Sequence, residues 1–500
     1  MGPDNRVMSV PKRLLTTLAA LVCGTSLAQA IPTEIVAALG RAKVPLDALT
    51  LLVVDADGRA APRLSHRSQV PVNPASVMKL VTTYAGLDLL GPAYTWTTPV
   101  FIEGAVREGT LYGDLIIKGQ GDPKLVAERL WLLLRRVQGL GIDKIAGDIV
   151  LDRSAFETIE ADPASFDGEP LRPYNASPDA LLLNFKSVVM TFVPDRTANT
   201  AQVYFEPPLA GVQMQTTVPL SPNNSANGTN GGNAACGDYR TLLKADFSDA
   251  TRIRFGGTYP LACAEKVWPV AYPDPASYNL RAVEGLWRAM GGQLGGTVRA
   301  GSVPPAKTPA FEVSSPALAE VIRDINKFSN NVMAQQLFLT LSLPVRSPNG
   351  TPNGAGAAPS AAPPASREAS RAVLARWWKD RISPDDAPTL DNGSGLSRSE
   401  RISAQALARM LQTAYRSPLM PELMSSLPIT GVDGTLKRSK AAAQGSAHLK
   451  TGSLRDVTAL AGYVHGASGK RYVLVAIANH ANASAVRPAF DALVDWAVKD

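Results

Sequence analysis

NPASVMKL, residues 73–80, sets a serine three positions before a lysine at the mouth of an apolar run. On a helix, positions i and i+3 share a face, so the Ser76 hydroxyl and the Lys79 amine can meet there. Asn73-Pro74 suits a helix start, and Val77, Leu80, Val81, Tyr84 and Leu87 supply a helical apolar stripe. A bland reading also exists, in which Ser76 is a cap residue and Lys79 a solvated side chain. The spacing alone does not choose, since a second S-x-x-K occurs at Ser9 to Lys12.

The whole chain narrows the choice. Its 500 residues, 45% of them apolar, exceed what one small core needs, so two or three globular units are expected. Lys12 and Arg13 precede LLTTLAALVCGTSLAQA, a short apolar run ending in Ala28-Gln29-Ala30, which reads as a secretory leader over 1–30. The second S-x-x-K falls inside that leader. No later stretch approaches the roughly 20 apolar residues of a membrane span, so the mature protein is expected to be periplasmic with no stable span. Cys23 lacks the small preceding residues that a lipidation site wants.

Without the leader, Cys236 and Cys263 remain, an even pair in an oxidising compartment. A disulfide between them closes a loop of about 28 residues, worth roughly 3–4 kcal/mol in the chain-entropy model. Two free buried thiols are the alternative. The 50 Lys and Arg against 43 Asp and Glu give +7 without a basic block, which argues against nucleic-acid binding.

ALTLLVVDADGRA reads as a buried strand ending in an Asp-Gly turn, after a short helix in IPTEIVAALGRA. A matching sheet is found only at the far end, where Val457 to Val464 and Arg471 to Ala478 read as two strands and PAFDALVDWAVKD as an amphipathic helix. One domain is therefore expected from both ends of the chain, over 31–98 and 276–500. The stretch 99–275 alternates short β-type runs with polar turns around one helix and reads as an insertion of one or two nested modules. SPNNSANGTNGG, 221–232, can bury almost nothing and reads as a flexible loop. SPNGTPNGAGAAPSAAPPAS, 347–366, has no charge and no large apolar side chain and reads as a disordered Pro/Ala-rich excursion between two helices.

Four histidines give poor support to a Ser-His-Asp site, and the default for His448, His465 and His480 is structural. H-E-x-x-H, paired C-x-x-C and G-x-x-x-x-G-K-[ST] are missing, so zinc and nucleotide chemistry have no visible carriers. Serine-lysine chemistry needs none of them: a lysine amine takes the serine proton if burial or nearby cations lower its pKa. KFSNNVMAQQL places Ser329 and Asn331 within an otherwise apolar helical region, Leu318 to Leu341, where polar groups need partners. S-x-N occurs five times, but the copies at Ser221, Ser225, Ser277 and Ser347 sit in loop-like sequence. HLKTGSL occurs once, before the C-terminal hairpin, and is expected on an edge strand where Gly452 admits a ligand's backbone.

S-x-x-K, S-x-N and K-T-G in this order resemble the penicillin-recognising serine enzymes. The separation of about 250 residues between Ser76 and Ser329 narrows this to the D-alanyl-D-alanine carboxypeptidase/endopeptidase family of penicillin-binding protein 4 type. LYGDLIIKGQGDPKL, DNGSGLSR at 391–398 and ITGVDGTLKRS at 429–439 agree. The resemblance implies an α+β fold: a transpeptidase-like antiparallel sheet flanked by helices, carrying large inserted mainly-β modules. It implies that Ser76 attacks a D-Ala-D-Ala bond or a peptidoglycan cross-link to form an acyl-enzyme, with Lys79 as base and Ser329 and Lys450 as proton relay. Asn331 then holds the substrate amide, Lys450, Thr451 and Ser453 receive the terminal carboxylate, and the N–H groups of Ser76 and Ser453 form an oxyanion hole. Stem peptides and cross-links are the implied partners, β-lactams the implied inhibitors, and neither metal nor organic cofactor is implied. A serine β-lactamase and a non-catalytic peptidoglycan sensor are the rivals. The first wants an E-x-x-L-N-like segment that is not visible, and the second does not need intact motifs.

Overall fold

The computed structural model describes Gly2 and residues 30–159, 162–221, 236–344 and 363–500. The expected leader thus lies almost wholly outside the described residues, as do most of the loop 221–232 and of the tract 347–366.

One antiparallel sheet joins the two ends of the chain. Its order is Leu64–His66, Leu49–Asp55, Arg471–Asn479, Val457–His465, Ala447–Leu454. The N-terminal strand runs against the last one in register from Leu49 opposite Ala478 to Asp55 opposite Tyr472. Successive side chains of a strand point to opposite faces, and here both faces are covered. Ala459, Ala461, Tyr463, Val473, Val475 and Ile477 enter a core shared with the helices Lys79–Leu90, Leu318–Phe328 and Ala404–Tyr415. Leu460, Val464, Leu474 and Ala476 enter a second core with the helices Thr33–Ala42 and Arg487–Val498. Double burial explains why VTALAGYVH and YVLVAIA are apolar at nearly every position rather than at every second one.

The middle of the chain has its own core, built on two five-stranded sheets and the helix Ala127–Gly139. The disulfide Cys236–Cys263 sits in that unit, with Cα atoms 4.6 Å apart. The unit does not stop at 275. Tyr278, Val283 and Trp287 of the helix Tyr278–Ala289 belong to its core, Val298–Gly301 pairs with Ile149–Asp152, and Phe311–Ser314 pairs with Thr97–Ile102. We therefore propose a boundary near Ser314, where the insertion's last strand closes against its first. No change of composition marks that point, because the closure is made by pairing in space.

Three local expectations need correction. The segment from Asn73 does not begin as an α-helix: Ala75–Met78 is a 3₁₀ turn, and the α-helix starts at Lys79. Side chains at i and i+3 eclipse in a 3₁₀ turn, so the pairing of Ser76 with Lys79 survives by a tighter geometry. Ser329 is not inside a helix. It adopts the left-handed conformation, φ 57°, between Leu318–Phe328 and Asn331–Thr340, and Asn330 caps the second helix by accepting from Met333 N–H. A run of three polar residues competes with helical hydrogen bonding, which accounts for the break. Finally, the end of the 347–366 tract is packed: Ala365 is buried with Phe156, Ala180 and Leu339, and its backbone bonds Ala155 and Glu157 at 2.9 Å each. Among the described residues, no helix is long and apolar enough to cross a membrane.

Candidate active site

The 3₁₀ turn, the break between two helices and the edge strand meet at one place. Asn73 shapes the turn: its Oδ1 accepts from Ala75 N–H at 2.8 Å, and its backbone exchanges two bonds with the Asn479 amide. Ala75 is thereby held at φ 48°, a left-handed conformation costing roughly 1–2 kcal/mol for a residue with a Cβ. Two glycines let neighbouring chains close on the turn. A Cβ on Gly452 would lie 2.6 Å from Pro74 O, and one on Gly395 would lie 2.0 Å from Ala75 O. Gly452 was expected to admit a ligand's backbone; it admits the backbone of the serine's own turn.

Lys79 Nζ lies 2.9 Å from Ser76 Oγ, 2.6 Å from Asn331 Oδ1 and 2.5 Å from the Ser394 carbonyl. Lys79 is fully buried, and burial pushes its amine well below the usual range; nearby Lys450 acts in the same direction, while Glu400 opposes. A neutral amine has two N–H donors and one lone pair. The Asn331 and Ser394 oxygens are hydrogen-bond acceptors here and take both donors, which leaves the lone pair for the Ser76 hydroxyl.

A second lysine-serine pair stands beside the first. Lys450 Nζ donates to Ser329 Oγ at 2.9 Å and to Thr451 O at 2.7 Å. It too is fully buried, which lowers its pKa to about 7. Ser76 and Ser329 are partly buried and Ser453 is exposed, so the site is open to solvent on the side away from the two buried amines. Thr451 Oγ1 is 2.7 Å from Thr435 Oγ1. All eight residues singled out in the sequence, Ser76, Lys79, Ser329, Asn331, Lys450, Thr451, Gly452 and Ser453, lie on these three segments.

Other members were not singled out individually. Ser394 supplies a carbonyl and Glu400 supports its loop, both from or beside DNGSGLSR. Thr435 and Asp433 come from ITGVDGTLKRS, and Asp433 pairs at 2.6 Å with buried Lys327, two residues before Ser329. Both stretches stood out in the sequence, but a backbone carbonyl leaves no mark there, and nothing local shows which side chain reaches the site.

The model of the D-Ala-D-Ala carboxypeptidase 3 (S13) family matches residues 35–499. A D-alanyl-D-alanine carboxypeptidase of Actinomadura sp. (strain R39) is 27% identical over 418 residues, 79% of this chain and 71% of the relative. The D-alanyl-D-alanine carboxypeptidase DacB of Haemophilus influenzae is 23% identical over 410 residues, 81% of this chain and 80% of the relative. The crystal structure of penicillin binding protein 4 (dacB) from Haemophilus influenzae superposes with a TM-score of 0.68 at 20% identity, covering 92% of this chain and 99% of that one. The same protein complexed with a β-lactam superposes with a TM-score of 0.65.

Proposed function

The chain belongs to the D-Ala-D-Ala carboxypeptidase 3 (S13) family, and on that premise we propose that Ser76 is its nucleophile and Lys79 the base that activates it. The protein is a serine D-Ala-D-Ala carboxypeptidase. The observation that carries the assignment is the fencing of Lys79 Nζ by Ser76 Oγ, Asn331 Oδ1 and Ser394 O.

The Ser76 proton passes to Lys79 Nζ as Oγ bonds to the carbonyl carbon of the penultimate D-alanine. The N–H groups of Ser76 and Ser453 receive the developing oxyanion, a feature worth a few kcal/mol per donor in related chemistry. Collapse breaks the C–N bond, and the leaving amine takes a proton delivered through Ser329 from Lys450, whose pKa of about 7 suits that transfer near neutrality. Lys450, Thr451 and Ser453 hold the terminal carboxylate, and Asn331 holds the substrate amide. Water then hydrolyses the Ser76 ester: Lys450, through Ser329, takes the proton of the attacking water, Lys79 returns its proton to Ser76 Oγ as the ester C–O bond breaks, and both lysines regain their starting states. Peptidoglycan stem peptides and cross-links are the proposed substrates outside the cytoplasm, in the periplasm, and β-lactams acylate the same serine.

Mass spectrometry tests the chemistry. Benzylpenicillin is expected to add its full mass to Ser76 and nothing to Ser76→Ala, and digestion of purified muropeptides is expected to release D-alanine. Equal adducts on both proteins would overturn the assignment, and fast turnover of penicillin without a lasting adduct would favour a β-lactamase.

A further inference from the structure

Glu400 is a fully buried acid that the scheme above leaves without a task. Its Oε1 accepts three consecutive backbone N–H groups, from Asp391 and Asn392 at 3.1 Å and from Gly393 at 2.9 Å. Three N–H groups on one oxygen stabilise the ionised form of a carboxylate. Its Oε2 is buried, with no hydrogen-bond partner among the described residues. The same turn sends two successive carbonyls to one helix: Gly393 O accepts from Thr82 Oγ1 at 2.6 Å, and Ser394 O accepts from Lys79 Nζ at 2.5 Å. Asn392 Oδ1 closes the turn from inside by accepting from Ser394 N–H at 3.0 Å and Ser394 Oγ at 2.7 Å.

We propose that Glu400 is a positioning residue for acylation, holding the 391–394 turn so that the Ser394 carbonyl occupies one N–H of Lys79 and the amine's lone pair faces Ser76. The carboxylate touches neither substrate nor nucleophile. It acts through the peptide that it anchors, and secondarily through its charge. Lys450 and Glu400 are the charged groups that act on Lys79, and Asp391 acts on Glu400. Burial, the largest effect, raises the pKa of Glu400 on balance; the three N–H bonds oppose that rise and the Asp391 charge adds to it.

The role rests on Lys79 being the base, so Lys79→Ala is measured alongside. Glu400→Gln keeps the shape but removes the charge that draws three N–H groups together. Single-turnover acylation by benzylpenicillin across pH is expected to fall about tenfold to a hundredfold in this variant, the scale of a small misplacement of a reacting group. Its acid limb is expected to move to lower pH, because loss of the negative charge lets the Lys79 pKa drop further. The concentration of penicillin giving half-maximal rate is expected to stay within about twofold, since carboxylate recognition lies on the Lys450 strand. A purely structural role predicts fewer active sites with an unchanged rate per site and an unchanged limb. Glu400→Asp, which keeps the charge but retracts it, serves if the glutamine variant does not fold; it is expected to lose rate with the limb in place. A native rate per active site in either folded variant, with Lys79→Ala inactive, overturns the role of Glu400. A native rate in Lys79→Ala as well overturns the base assignment beneath it.

Discussion

Lys79 Nζ and Asn331 Oδ1 stand 2.6 Å apart across 252 residues of chain. The contact joins the helix that starts at Lys79 to the helix that resumes after Ser329, and the inserted unit occupies the sequence between them. The insertion is therefore not a passive loop. Gln336, on the Asn331 helix, donates to Asp179 O at 2.9 Å and Gly121 O at 3.2 Å and accepts from Asp179 N–H at 2.8 Å. Residues of the insertion thus grip the helix that carries Asn331.

Asp179 is the stability-critical charge of that grip. It is buried and meets Lys186 at 2.8 Å and Arg153 at 2.5 Å. Burial raises its pKa, but the two cations more than offset this and hold the carboxyl below its usual range. Asp179→Ala leaves buried Lys186 unpaired and is expected to cost about 3–5 kcal/mol. Urea unfolding followed by circular dichroism checks this, and a loss under about 1 kcal/mol would show that the cluster relaxes around the gap.

The paired cysteines support the middle unit, not the chemistry. Cys236→Ser with Cys263→Ser opens a loop closed across a sequence separation of 27 and is expected to cost about 3 kcal/mol. Benzylpenicillin acylation at 25 °C is expected to stay within about twofold. A large fall in rate with unchanged melting would contradict this separation of roles.

Lys450 makes stability depend on pH. Its pKa falls from 10.5 to about 7 through burial, so between those values the unfolded chain holds the proton that the folded chain has lost. Stability therefore rises with pH across that window, and the cost of burying the amine is fully present below it. Lys450→Met removes the titrating group, so its melting temperature is expected to gain most on the native protein near pH 6 and least near pH 10. A gain that does not change with pH would contradict the shift.

Much of this was legible in the chain. The strands Val457–His465 and Arg471–Asn479 are apolar runs of strand length beside a Gly-containing turn, and the three motifs marked the segments that meet at the site. What escaped were features made in three dimensions. Ser329 takes a left-handed conformation that its neighbours favour but do not announce. The boundary proposed near Ser314 rests on the pairing of Phe311–Ser314 with Thr97–Ile102, far back in sequence. Ser394 acts through a backbone carbonyl, which every residue possesses. Ala365 is a small residue in a small-residue tract, and only its neighbours Phe156 and Leu339 show that it is packed.

Single-turnover acylation of Lys79→Ala by benzylpenicillin tests the central claim most directly. With its base removed, Ser76 faces its full deprotonation barrier at neutral pH, so the limiting rate is expected to fall by about a hundredfold to ten-thousandfold. The half-saturating concentration is expected to change far less, because Lys450, Thr451 and Ser453 still receive the carboxylate. A folded Lys79→Ala protein that acylates at the native rate would contradict the account and assign the activation of Ser76 to another group.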